Sequence, residues 1–287
     1  MSIDGRPLFR QERIDEKVVR IFDASDTAMY LVIGDKKAAL LDTGYGCGDL
    51  KGYIKRITDR PVTALMTHAH RDHAMGAGQF ESWMSPLDFD KYCMDASLEM
   101  RIKGMEAAQK KSNNGLYRFA LKSDWQPALP VESFHPLMPG SRFDLGGTTI
   151  ETYCGKGHSD GSVMFLIPER KMFLLGDACG WETRIFCSVR DYLENLEQVN
   201  EAVKGRYNRA LSSHEGGDLP EGIIEGVIQT CRDVLAGRDD RIPFIHPNKE
   251  IFGGRNMFYA REVYFENGKK KRRDGGVGGI VYDAEFL

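Results

Sequence analysis

Apolar and polar positions fall into short blocks along the chain. "KVVRIFD", "AMYLVIG" and "KKAALLDTG" are apolar runs of strand length, and Gly34-Asp35 joins the last two as a hairpin. In "GDLKGYIKRI", Leu50, Tyr53, Ile54 and Ile57 recur at helical spacing. "PVTALMT" is a further short strand. Strands return with "RFDLGGTTIETYC", and "SVMFLIP" and "KMFLLGDA" pair across a turn at Pro168-Glu169-Arg170. "VRDYLENLEQVNEAVKG" places Leu193, Leu196, Val199 and Val203 on one helical face. "RALSSHEGG" is strand-like, and "EGIIEGVIQTCRDVLAG" is a second long helix. "EVYFENGKKKRRDGG" forms a hairpin around Asn267-Gly268. This alternation predicts an α/β fold.

Residues 87 to 128 interrupt the pattern. "DFDKYCMDASLEMRIKGMEAAQKKSNNGLYRFALKSDW" is charged, rich in Met and aromatics, and mostly helix-compatible. With no repeat and no low-complexity linker, the simplest organisation is one domain over residues 1–287 with a helical insertion or lid at 87–128.

Composition narrows the function classes. The chain has 287 residues, 41% hydrophobic and 28% charged, with a net charge of −3. That is a globular composition, and the mild negative charge gives no general pull toward nucleic acid. No apolar run is long enough to span a bilayer, so no membrane partner is expected. The polar start "MSIDGRPLFRQERIDEK" lacks an apolar leader core, which predicts a cytoplasmic protein. The six cysteines form no CxxC pair and read as reduced thiols.

Within this ordinary composition, "THAHRDH" at residues 67–73 stands out. It holds three of the seven histidines plus Asp72. Imidazole and carboxylate together are strong ligands for zinc-like ions. His68 and His70 can point one way, while Asp72 and His73 face a second point nearby, so one segment can serve two ions. It cannot complete either coordination sphere alone. Three further donors end apolar strands: His158 after "TTIETYCGKG", Asp177 after "KMFLLG" and His214 after "RALSS". Asp42, ending "AALLDTG", suits a supporting role that fixes the tautomer of a ligand imidazole.

The ordered set "LLDTG", "THAHRDH", "GHSDGS", "LLGDA", "SSHE" resembles the five motifs of the metallo-β-lactamase superfamily over about residues 25 to 220. The resemblance implies a four-layer αββα sandwich of two mixed β-sheets. It implies that His68, His70 and His158 hold a first metal, that Asp72, His73 and His214 hold a second, and that Asp177 bridges them. The cofactors expected are two divalent ions, zinc first, with iron or manganese as alternatives. The implied reaction is hydrolysis of a small carbonyl substrate (thioester, ester, lactone or amide) by a metal-bridging hydroxide, with Asp72 and Asp177 as proton carriers. A phosphodiesterase or nuclease on the same site is the alternative, and a redox di-iron protein is a more distant one.

Three features narrow the branch. Class B1 β-lactamases carry cysteine where Asp177 stands. Flavodiiron proteins replace the second histidine, here His70, by glutamate. Quorum-quenching lactonases place a tyrosine shortly after the bridging aspartate, whereas this chain reads Asp177-Ala178-Cys179-Gly180-Trp181. The tail lacks the helical domain of the glyoxalase II type.

The remaining candidates have plainer readings. Cys179 is expected to be a buried, inert thiol. His135 and His246 each precede a proline and read as loop residues, with His246 placed near the site. Lys269 to Arg273 reads as a solvated hairpin tip. Met84, Met94, Met100, Met105, Phe89, Tyr92, Tyr117, Phe119 and Trp125 are expected to line a substrate pocket.

Overall fold

The computed structural model describes residues 6–112, 115–214, 216–245 and 255–287. The early apolar runs form a seven-stranded sheet in sequence order: β1 (Arg10–Arg13), β2 (Val18–Phe22), β3 (Ala28–Ile33), β4 (Ala38–Leu41), β5 (Val62–Leu65), β6 (Glu81–Met84) and β7 (His135–Pro136). Pairing is antiparallel from β1 to β4 and parallel from β4 to β7. The second large sheet comprises β8 (Arg142–Asp144), β9 (Thr149–Cys154), β10 (Val163–Ile167), β11 (Met172–Gly176), β13 (Arg209–Ser212) and β14 (Asp218–Leu219), in the order β14-β13-β11-β10-β9-β8. It is antiparallel except for the β11–β13 pair, so both large sheets are mixed.

The inner strands β2, β3, β4, β10 and β11 are apolar at nearly every position because both of their faces are covered, whereas the edge strand β1 is polar and largely exposed. In β3, Tyr30 and Val32 face the space between the sheets, while Met29 and Leu31 face outward. In β10, Val163, Phe165 and Ile167 face inward, while Met164 and Leu166 face outward. The outer face of the first sheet is covered by α1 (Leu50–Ile54), α2 (Arg71–Ala74) and α3 (Phe89–Asp95), through Leu50, Ile54, Ala74 and Tyr92. The outer face of the second is covered by α5 (Val189–Val203) and α6 (Ile223–Leu235), on the face that carries Leu193, Leu196, Val199 and Val203. Three apolar layers thus separate four structural layers, the αββα sandwich expected.

Beyond residue 240 the chain builds more than the expected hairpin. β12 (Thr183–Arg184), β15 (Ile242–Pro243), β16 (Met257–Tyr259) and β19 (Ile280–Asp283) form a third, four-stranded sheet in the order β12-β19-β16-β15. These strands are two to four residues long, too short for period-two alternation to register. The hairpin of β17 (Val263–Glu266) and β18 (Lys269–Arg272) turns at Asn267 and Gly268, both with positive φ, as an Asn-Gly type I′ turn requires.

The segment 87–128 lies between the paired strands β6 and β7 and is helical only in its first part. It contains α3 and α4 (Leu98–Ser112), followed among its described residues by a 3₁₀ turn at Lys122–Asp124. Several side chains expected to line a pocket are core instead. Met84 and Tyr92 pack under the outer helices, and Met105 and Tyr117 close the layer between the sheets. Burial against strands prevails for these four, whereas Met94 and Phe119 are exposed. Arg101 of α4 is buried and donates to the carbonyls of Tyr45 (3.0 Å), Gly46 (3.0 Å) and Gln126 (2.9 Å). Replacing Arg101 by Met would take the donor from the Tyr45 and Gln126 carbonyls, while the Gly46 carbonyl keeps the N–H of Gln126 at 2.9 Å, and urea unfolding is expected to register a loss of roughly 1–3 kcal/mol.

Candidate metal centre

Every predicted donor sits at the same edge of the sandwich because each follows the end of a strand. After β5, the chain runs through Thr67, His68 and Ala69 to His70, which occupies the N-cap position of α2 with extended backbone. Asp72 and His73 then lie on the first turn of that helix. Gly176 closes β11 with φ +56, where a Cβ would sit 3.1 Å from Thr67, and the β11–β13 register skips a residue at this point. That bulge turns Asp177 toward the site. Gly157, with φ +144, allows the loop carrying His158 to pass within 2.4 Å of the Tyr192 ring, measured from an ideal Cβ. His214 follows β13, where the Tyr30 hydroxyl donates to the Ser212 carbonyl at 2.5 Å and His214 N–H donates to Ser212 Oγ at 3.1 Å.

The seven side chains converge on three overlapping groups: His68, His70 and His158; His68, His73 and Asp177; and Asp72, His73 and His214. Within each group the donor atoms lie within 4.8 Å of one another. His70 Nδ1 is 2.9 Å from both His68 Nε2 and His158 Nε2. Asp177 Oδ2 lies between the groups, 3.6 Å from His158 Nε2, 3.7 Å from His73 Nε2 and 3.3 Å from His214 Nε2. Asp72 Oδ2 is 3.6 Å from His73 Nε2 and 3.4 Å from His214 Nε2.

The outer nitrogens of three histidines are anchored. His73 Nδ1 bonds Asp42 Oδ2 at 2.8 Å, and His158 Nδ1 bonds the Arg184 carbonyl at 2.9 Å. His68 Nδ1 is 3.0 Å from Thr67 Oγ1, whose own proton goes to Asp42. Thr67 therefore accepts from His68, and the network assigns all three protons to Nδ1. This leaves Nε2 of His68 and His158 as lone-pair donors aimed at His70 Nδ1. Three nitrogens with at most one shared proton at 2.9 Å are a poor hydrogen-bonded cluster and a good cation cradle. His73 Nε2 and Asp177 Oδ1 are moreover buried with no hydrogen-bond partner among the described residues. The donor set fits divalent ions.

Electrostatics divide the site. Burial, followed by the neighbouring His73, His70 and His158, pushes His68 well below the usual imidazole range. Burial likewise lowers His70 and His158. On the other side, burial opposes protonation of His73, but Asp72, Asp177 and Asp42 overcome it and hold the ring well above its ordinary value. Burial also opposes ionisation of Asp72 and Asp177, yet the facing imidazoles hold both carboxyls below the usual carboxylate range.

The other sequence candidates lie elsewhere. Cys179 is buried in the core beneath α5 and α6, where burial pushes its thiol up. His135 sits on the edge strand β7, stacked on Trp83 at 4.5 Å. His246 lies outside the described residues. Thr67 and Arg184, which orient His68 and His158, had no signal in the sequence. One supplies a hydroxyl inside the histidine motif, and the other only a backbone carbonyl.

His214 generates a pH prediction. Burial disfavours its charged form, but Asp177 and Asp72 raise its pKa from 6.5 to about 10. A raised pKa contributes stability that is complete below the unfolded value and is lost as pH rises through the folded one. Chelator-treated protein is therefore expected to lose thermal stability as pH rises from about 7 to about 10. The loss is modest, because the side chain is 37% exposed and solvent screens it. Metal-loaded protein, in which cations replace the protons, is expected to keep its Tm over the same range in a paired thermal-melt series.

Known proteins agree with this architecture. The family model described as the metallo-beta-lactamase superfamily matches residues 23–197. An acyl-coenzyme A thioesterase, MBLAC2 of Gallus gallus, is 24% identical over 214 residues, covering 68% of this chain and 75% of the relative. The probable metallo-hydrolase YqgX of Bacillus subtilis is 24% identical over 155 residues, covering 52% of this chain and 64% of the relative. Among solved structures, the superfamily protein ST1585 of Sulfolobus tokodaii aligns with a TM-score of 0.50 at 17% identity, covering 87% of this chain and 93% of that one. With its motifs on one sandwich edge and the family match spanning most of both large sheets, the chain belongs to the metallo-beta-lactamase superfamily and is an enzyme of that hydrolytic superfamily.

Proposed function

We propose that the protein is a dinuclear-metal hydrolase of small carbonyl substrates, with thioesters first among them. The observation that carries this reading is the pair of donor groups linked through His68, His73 and Asp177, with His73 Nε2 and Asp177 Oδ1 buried and without a hydrogen-bond partner among the described residues. His68, His70 and His158 would hold one ion, and Asp72, His73 and His214 the other, with Asp177 between. Imidazole and carboxylate favour zinc, and iron or manganese also suits them. Two divalent cations held there would supply charge to stabilise an oxyanion and a water nucleophile ionised near neutral pH. The Arg184 carbonyl keeps Nε2 of His158 unprotonated and aimed, while Asp42 holds the His73 ring with Nε2 toward Asp72 and Asp177, where a bound cation would take the place of its proton. Asp72 Oδ2 and Asp177 Oδ2 are the acceptors for a proton released there. The named activity of the thioesterase relative supports the choice of thioesters.

The segment 87–128 borders this site. Arg71 Nη2 pairs with Asp95 at 2.7 Å, which docks α3 against the ligand-bearing α2. Leu87, Met94 and Leu98 expose apolar surface there. We assign that surface to the apolar part of the substrate, a narrower role than a lid built from the whole segment. Nucleic acid does not fit the basic hairpin, where Lys270, Lys271, Arg272 and Arg273 pair with Glu182, Glu266, Asp274 and Glu262. No described helix is long and apolar enough to cross a membrane. All six cysteines are free thiols, which supports a reducing compartment such as the cytoplasm.

Elemental analysis of protein purified without chelator is expected to give close to two ions per chain; one or none after metal supplementation overturns the dinuclear reading. His158→Ala is expected to empty one position and Asp177→Ala to disturb both. The metal-loaded enzyme is expected to hydrolyse an acyl-coenzyme A thioester and to lose that activity on chelation. Changing Leu87, Met94 and Leu98 to Ser is expected to raise KM for long-chain acyl thioesters and leave metal content unchanged.

Penicillins and carbapenems are expected to turn over weakly, because the carboxylate of Asp177 offsets the positive field that would stabilise their anionic nitrogen leaving group. A kcat/KM above about 10⁴ M⁻¹s⁻¹ on any β-lactam contradicts this expectation.

A further inference from the structure

Asp88 stands just outside the donor set and touches none of it. It occupies the N-cap position of α3, yet its side chain makes no cap bond to that helix. The residue is 1% exposed. Its carboxylate reaches instead to two loops. Oδ2 accepts from the backbone N–H of Ala69 at 3.0 Å and from Ser159 Oγ at 2.8 Å. Oδ1 accepts from the backbone N–H of Gly161 at 2.8 Å. Ser159 Oγ also lies 2.7 Å from Ser162 Oγ, which accepts from Ser159 N–H at 3.1 Å. Gly161 is required by this approach, since a Cβ there would fall 2.7 Å from the carboxylate carbon.

Ala69 lies between His68 and His70, and Ser159 follows His158. One buried carboxylate therefore clamps together the two loops that supply three converging nitrogens. Burying a carboxylate is costly, and burial pushes the Asp88 carboxyl up, against the pull of its hydrogen bonds. A helix cap alone would be met by Ser or Asn on the surface at much lower cost.

We infer that Asp88 is a positioning residue that sets the spacing of His68, His70 and His158, and with it the metal affinity of that position alone. The inference rests on the dinuclear reading above. Its selectivity follows from the contacts: all three hydrogen bonds go to the loops of this trio, and none goes to Asp72, His73 or His214.

Asp88→Asn tests it with little change in volume. The amide keeps one carbonyl acceptor and turns the other oxygen into an N–H donor. Whichever way it sits, one backbone N–H, of Ala69 or of Gly161, loses its acceptor and meets a donor. Chelator-treated full-length protein would be titrated with Co²⁺ and followed by its visible absorption. The wild type is expected to fill two positions. In Asp88→Asn one position is expected to weaken about 10- to 100-fold, with its absorption bands displaced, while the other holds within about twofold. Ser159→Ala, which removes one of the three bonds, is expected to weaken the same position by a smaller factor, and it decides the matter if the Asn variant does not fold. Thr230→Val, which removes a buried hydroxyl bonded to Gly226 and Arg272, is the stability control and is expected to leave both positions unchanged.

Equal weakening of both positions, or none in a variant that folds, overturns the role of Asp88. A wild type that takes up fewer than two cobalt ions overturns the dinuclear reading instead.

Discussion

The Asp42 carboxylate is the point on which the site depends. It is fully buried at the end of β4 and has positive φ, a conformation that aspartate tolerates better than bulkier residues. Oδ1 accepts from Thr67 N–H at 2.7 Å, and Oδ2 bonds His73 Nδ1 at 2.8 Å. Ser213, beside His214 on the other sheet, reaches Oδ2 at 3.4 Å. One anion thus ties the ends of β4 and β5, the start of α2 and the end of β13. A buried carboxylate without such partners would cost several kcal/mol. With them, and with the bonds of the Tyr30 hydroxyl to the Ser212 carbonyl and of Ala28 N–H to the Ser213 carbonyl, it fixes the relative placement of two sheets whose facing surfaces are otherwise mainly apolar, and apolar contact specifies distance but not direction.

That directionality matters because the donor atoms approach one another with no covalent link. The three low-pKa imidazoles and the two high-pKa imidazoles belong to one cluster only a few ångströms across. The difference comes from the carboxylates, which crowd one half of the site and leave the other to histidine alone. The two donor groups are therefore not equivalent: one offers three neutral nitrogens, the other nitrogens held among anions. A harder, more oxophilic ion suits the second half better than the first.

Much of this was legible in the sequence. His68, His70, Asp72 and His73 were visible because local spacing places them together whatever the fold. His158, Asp177 and His214 were visible because each ends a strand apolar enough to be recognised. Most strands of the two large sheets were legible as apolar runs, and their arrangement as a sandwich came from the family resemblance. What escaped were groups acting through the backbone. The Arg184 carbonyl carries no residue-type signal, and Asp88 looks like a helix cap. Met84, Tyr92, Met105 and Tyr117 suggested a pocket because composition does not tell an apolar wall from an apolar core. The third sheet escaped because its strands are too short and mixed for periodicity to show.

The third sheet also bears on the order in which the protein can be completed during synthesis. The carbonyl that orients His158 belongs to Arg184, in β12, and β12 is held by pairing in parallel with β19, with Arg184 opposite Val281. The histidine is made some hundred residues before its orientation is secured. While the ribosome is still adding that stretch, the nascent chain can hold every donor of the cluster and yet lack the restraint on one of them. The restraint on His158 is thereby completed only when β19, made long after the histidine, has paired with β12.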